Sequence, residues 1–255
     1  MSAKLPTSPK SQTRTKKNLD QPKMDNSFKL KSIIPLTDTQ KKIFNEFDQA
    51  KNLVLMGTAG TGKTFCSMYL ALKSIIDNKN TNAGPNKILI IRSVVSSRDV
   101  GFLPGTLKEK LSVYEAPYKA IFSELLGRGD AWEILKTKGV VDFVSTSYLR
   151  GTTINDSFII MDEFQNASFH ELDTVMTRIG KNTRICFCGD LSQTDLIKSK
   201  YDVSGLPDFI KVIDRMNSFD IVNFTINDIV RSGTVREYII AKEQLDISIS
   251  PDHSY

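Results

Sequence analysis

A chain of 255 residues with 40% hydrophobic side chains has enough apolar material for a proper core, and α/β domains of this size are often single. Three cysteines, an odd count with no C-x-x-C pair, argue against a disulfide framework or a zinc site; no apolar h-region near the start and no run of about 18 apolar residues argue against a secretory signal or a membrane span. The formal charge of +5 is unevenly spread, because the first 32 residues hold eight Lys or Arg against two Asp and leave the remainder at −1.

In chain order, residues 1–32 come first as a basic arm rich in Ser, Thr, Pro and Lys. Such a stretch buries too little apolar surface to offset its ordering entropy, so disorder is expected. It reads either as a solubilising tail or as an arm that touches nucleic-acid phosphates. The segment "LTDTQKKIFNEF" predicts a helix with Thr37 or Asp38 as N-cap. Six short apolar runs follow: residues 52–56, 87–92, 140–144, 158–161, 184–188 and 220–224. Nearly continuous apolar runs of this length mark strands buried on both faces, as in a parallel sheet. Helical patterns at 64–76 and 169–179 fill intervals between them. The alternation predicts an α/β fold, a doubly wound, mostly parallel sheet in one domain spanning 33–247, with a short tail at 248–255. Cys186 and Cys188 fall in a buried strand, and a reducing cytoplasm fits free thiols. His170 and His253 stand alone in sequence and receive no metal role.

The segment "VLMGTAGTGKT" carries the chemistry. Gly57, Thr58, Ala59, Gly60, Thr61, Gly62, Lys63 and Thr64 fit G-x-x-x-x-G-K-[ST] between a predicted strand and a predicted helix. Glycines let the backbone wrap so that its N–H groups point at phosphate oxygens, and the helix N-terminus adds positive partial charge. Lys63 can reach the β- and γ-phosphates, and Thr64 can place its hydroxyl on Mg²⁺. A nucleoside triphosphate or diphosphate is the expected ligand.

"FIIMDEFQNAS" is a second strand, ending in Asp162 and Glu163. Parallel strands deliver their C-terminal ends to the ligand crevice. There Asp162 can hold the Mg²⁺ shell, and Glu163 can orient or deprotonate an attacking water. A third strand, "RICFCGDLSQTDL", ends in Asp190 and Gln193, and a glutamine there can sense the γ-phosphate. Gln40, on the helix ahead of the first strand, either reads an adenine edge or is a solvated face residue. Arg92, Arg150, Arg231 and Arg236 are the basic candidates for completing the site, Arg231 foremost because it follows the last strand.

These motifs in this order ("TDTQ", "GTAGTGKT", "GFLPG", "SYLRGTTINDSFIIMDEFQNAS", "TRIGKNTRICFCGDLSQTDL", "DIVRSGTVREYI") resemble the PhoH-like proteins of bacteria and their phages. These are phosphate-starvation-associated ATPases related to superfamily 1 helicase cores. The resemblance covers residues 35–244. It implies a RecA-like P-loop domain that hydrolyses ATP with Mg²⁺. It assigns phosphate and metal roles to Lys63 and Thr64, the Walker-B roles to Asp162 and Glu163, the sensor role to Gln193 and an arginine-finger role to Arg231. The family commonly has proline where this chain has Ser93, and alanine where it has Phe164; neither touches a catalytic atom. Relation to helicases implies a single-stranded nucleic acid partner, RNA ahead of DNA, with Phe102, Tyr148 and Arg150 as contact candidates. A superfamily 1 helicase places ATP between two RecA-like domains and this chain has one, so a homo-oligomer such as a hexameric ring would complete the site. The expected location is the cytoplasm, the host's if the protein is phage-encoded. Two other classes stay open: an ATP-dependent switch or assembly protein acting on a protein partner, and a small-molecule kinase.

Overall fold

Each of the six apolar runs forms a strand of one sheet in the computed structural model of the chain: β1 (Asn52–Gly57), β2 (Lys87–Arg92), β3 (Val141–Ser145), β4 (Ser157–Asp162), β5 (Arg184–Gly189) and β6 (Phe219–Phe224). The structure describes residues 24, 27–48, 51–78, 84–93, 107–149, 151–190 and 205–245. The expectations placed on Phe102, Arg150, Gln193, His253, residues 1–23 and the tail lie outside them. The strand order is β3-β2-β4-β5-β1-β6, and every pairing is parallel. The fold is therefore α/β as expected, with a sheet that is wholly rather than mostly parallel, and β5 lies between the strand that carries the glycine loop and the strand that carries the acidic pair.

Helices α1 (Asp38–Asp48), α2 (Lys63–Asn78), α3 (Leu107–Leu126) and α4 (Ala131–Thr137) pack on one face of the sheet, and α5 (Phe169–Thr177) and α6 (Leu206–Ile213) on the other. Alternate residues of each strand feed the two cores. Leu53 and Leu55 of β1 point to the first, Val54 and Met56 to the second. This two-sided burial is why the strands read as unbroken apolar runs. Thr37 caps α1, its Oγ1 accepting from the backbone N–H of Gln40 at 3.2 Å. α3 and α4 are clamped by buried Glu115, which accepts from Trp132 Nε1 at 3.2 Å and from Lys136 Nζ. The last helix, α7 (Gly233–Gln244), buries none of its residues.

One boundary differs from expectation. Met24 and Phe28, within the stretch assigned to the arm, are buried in the first core, and Lys31 N–H donates to Leu125 O at 2.9 Å. The packed part thus begins upstream of residue 33. Two isolated apolar side chains in a polar stretch pin it, a signal too sparse for a composition argument. Among the described residues, no helix is long and apolar enough to cross a membrane.

Candidate functional site

The glycine loop takes its shape from the end of β1. Gly57 has φ +123°, and a Cβ there would lie 2.0 Å from the Phe224 carbonyl oxygen of β6, so only glycine fits. The chain then turns through Gly60 and Gly62, also at positive φ, and enters α2 at Lys63. Thr61 Oγ1 donates to Thr58 O at 2.9 Å, and the N–H of Val230, just after β6, donates to Gly60 O at 3.0 Å. The loop is held from inside and from outside. Lys63 Nζ lies under it, donating to Gly57 O at 2.5 Å and Thr58 O at 2.8 Å. Burial pushes this ammonium's pKa below the ordinary 10.5, and Asp190, Glu163 and Asp162 oppose that shift in part. A cation among backbone N–H groups at a helix N-terminus is an anion site ready for phosphate.

The acidic pair faces that loop. β4 is buried along its whole length and delivers Asp162 to the cleft. Asp162 Oδ1 accepts from Thr64 Oγ1 at 2.8 Å, and its Oδ2 accepts from Tyr118 O–H at 3.0 Å. Burial raises this carboxyl from 3.8 to about 6, with the Glu163 charge adding to the effect. The hydroxyls of Thr64 and Tyr118 and the guanidinium of Arg92, its register partner on β2, pull it back. Glu163 follows at φ +53°, ψ +39°, a left-handed conformation that costs a non-glycine residue about 1 kcal/mol or more. Gln165 sits in the 3-10 turn Phe164–Asn166 and keeps Glu163 in place. Its Nε2 donates to Glu163 Oε2 at 2.6 Å, while its Oε1 accepts from the Asp190 N–H at 3.1 Å. Gly189, ahead of Asp190, has no room for a side chain: a Cβ would lie 2.6 Å from the Phe164 ring and from Gln165 Oε1. The Thr64 hydroxyl and Asp162 carboxylate are hard oxygen donors at the mouth of a phosphate loop, a donor set that fits Mg²⁺.

These groups line one cleft of about 500 Å³. Lys63, Thr64, Asp162 and Glu163 meet there as expected, and so do Gln40 and Arg231. Gln40 is buried and acts as a strut, its Nε2 donating to Thr61 O at 3.0 Å and its Oε1 accepting from Leu36 N–H at 2.8 Å. Each amide atom still has one hydrogen-bonding position for a base edge. Arg231 is exposed, and its stem lies against Gly60 of the same chain. Arg236 is exposed on α7 and is not one of the lining groups. His170 is exposed on α5.

The two departures from the family pattern have local accounts. Phe164 is fully buried and packs against Phe187 and Phe209. Ser93 Oγ donates to Glu171 Oε1 at 2.9 Å, and Glu171 also accepts from Thr146 Oγ1 and from Ser168 in a capping box at the start of α5. Burial pushes the Glu171 carboxyl up, but these donors outweigh it and hold the pKa below 4.5. Tyr118 and Gln165 gave no sequence signal as site residues. Tyr118 lies 44 residues before the carboxylate it touches. Gln165 stands two residues after Glu163, and only the turn shows which way it faces.

The family model for PhoH-like protein matches residues 32–243. A PhoH-like protein of Mycobacterium tuberculosis is 31% identical over 217 residues, 83% of this chain and 58% of the relative. Protein PhoH of Escherichia coli is 29% identical over 203 residues, 79% and 55% of the two chains. The chain thus spans a little over half the length of the curated relatives it matches. Among solved structures, Pif1 helicase from Candida albicans is similar at TM-score 0.41 and 14% identity, covering 86% of this chain and 46% of that one. Bacteroides Pif1 in complex with ADP-AlF3 and ssDNA is similar at TM-score 0.38 and 19% identity, with 88% and 53% covered.

Proposed function

This chain belongs to the PhoH-like protein family, and from that premise we propose that it is a Mg²⁺-dependent ATPase whose hydrolysis is coupled to single-stranded nucleic acid, RNA ahead of DNA. The observation that carries the reading is the convergence of Lys63 and Thr64 from one strand end with Asp162 and Glu163 from another on a single cleft. The loop N–H groups and Lys63 bind and orient the phosphates, Lys63 exchanging its carbonyl partners for phosphate oxygens. Thr64 and Asp162 hold Mg²⁺, which neutralises charge on the phosphoryl oxygens when bound. Glu163, braced by Gln165, orients a water and takes its proton as the water oxygen bonds to the γ-phosphorus and the bond to the bridging oxygen breaks. Arg231, Gln193 and Gln40 take the finger, sensor and adenine-reading roles in this scheme.

A homo-oligomer, in the form of a ring, fits the same reading. α7 follows Arg231 directly, and it leaves Val235 55% and Tyr238 68% exposed, apolar side chains suited to a neighbouring subunit. The test is steady-state ATP hydrolysis with and without single-stranded RNA and DNA. A several-fold rise with nucleic acid supports the coupling. A rate that ignores both polymers removes it and leaves a switch acting on a protein partner.

A further inference from the structure

Asp162 is gripped from two directions. Thr64, in the first turn of α2, holds Oδ1, and Tyr118 of α3 holds Oδ2. Tyr118 is 1% exposed, and its ring packs on Phe143 with centroids 5.7 Å apart. It follows Pro117, the proline inside α3, which removes one backbone donor from the helix just ahead of the ring. Burial holds the phenol's pKa far above its ordinary value, so the hydroxyl is a neutral donor across the working pH range.

A carboxylate's terminal torsion is soft and twofold, so one oxygen left alone does not fix where the other points. A metal-holding carboxylate needs such fixing, and partners behind the metal ligands commonly supply it. We propose that Tyr118 is a positioning residue for the metal site: its hydroxyl holds Asp162 Oδ2 so that Oδ1 and the Thr64 hydroxyl present together to Mg²⁺. This rests on the Mg²⁺-ATPase reading above. Thr64 would itself be a ligand of the cation, so its hydrogen bond to Oδ1 could yield to the metal. Tyr118 donates to the other oxygen, so its bond need not break when the metal is held at Oδ1. The metal site is thereby tied to α3, an element that supplies no group to the phosphate loop.

The test is Tyr118→Phe, which deletes one hydroxyl and leaves the ring packing. The probe is Mn²⁺, read by electron paramagnetic resonance on the whole protein with ADP. The expected result is about a 10-fold weaker Mn²⁺ affinity. A matching rise in the Mg²⁺ concentration for half-maximal hydrolysis should accompany it, with ADP affinity in EDTA unchanged. Phe143→Leu is the comparison variant: it loosens the ring's packing but keeps the hydroxyl, so it should lower Tm and keep Mn²⁺ affinity within about twofold of wild type, against the tenfold loss expected of a missing second-sphere bond. Equal Mn²⁺ affinity in wild type and Tyr118→Phe overturns the positioning role and leaves the ATPase reading standing. Loss of Mn²⁺ affinity in both variants, in step with Tm, also overturns it, since packing then accounts for the effect. If wild-type protein binds no Mn²⁺ with ADP, the ATPase reading falls and the proposal with it.

Discussion

Asp162 is the buried carboxylate at the end of β4, facing the glycine loop. Its carboxyl is raised to about 6 from an ordinary 3.8, with burial the main cause. A raised folded-state pKa means that the folded chain holds this proton more tightly than the unfolded chain does. The stabilisation is complete below about pH 4 and is lost as pH rises through about 6, a deficit on the order of 3 kcal/mol above that. Asp162→Asn, measured in EDTA, should therefore raise Tm at pH 7.5 and leave it unchanged near pH 3.5, while abolishing Mg²⁺-dependent hydrolysis. A Tm that follows wild type across that range contradicts the assignment. The same residue shows what the sequence could reveal. Asp162 and Glu163 were legible because strand ends in parallel sheets face the crevice. Their supports were not: the reach of Tyr118 from α3 and the turn that aims Gln165 are tertiary facts with no local pattern behind them. Gln40 was legible as a candidate, but its place as a strut under Thr61 was not.

At the scale of elements, burial on both faces gave the strands unbroken apolar runs, and each expected boundary agrees with its strand to within one residue. The segment between β2 and β3 was less legible. α3 contains Pro117, and α3 and α4 are joined by the buried Glu115 carboxylate, the Phe122–Trp132 rings and the Lys119–Glu133 pair, tertiary contacts with no local sequence pattern. Two substitutions test how elements are joined. Gly57→Ala would press a methyl into the Phe224 carbonyl at the β1–β6 seam and should cost about 3 kcal/mol or more, read by urea unfolding. Glu171→Ala would release Ser93 at the end of β2, Thr146 after β3 and the cap of α5 together, and should cost about 2 kcal/mol. A loss under about 0.5 kcal/mol, the range of ordinary surface changes, would show that the Glu171 network is not a structural joint.

For the whole molecule, charge and composition led to an expected boundary at residue 33, and the burial of Met24 and Phe28 in the first core puts packed residues upstream of it. The exposed face of α7 leads to a prediction at this scale. Val235→Glu with Tyr238→Glu should shift the sedimenting species toward monomer and lower specific ATPase activity at high protein concentration. An unchanged sedimentation profile would separate α7 from subunit contact. On the proposed reading, the loop from Gly57 to Thr64 holds a triphosphate against Glu163. Single-turnover hydrolysis of γ-labelled ATP by wild type, Lys63→Ala and Glu163→Gln tests it most directly. Wild type should release phosphate, Glu163→Gln should bind ATP but cleave it about 10²–10⁴-fold more slowly, and Lys63→Ala should neither bind tightly nor cleave. Wild-type cleavage by Lys63→Ala would contradict it.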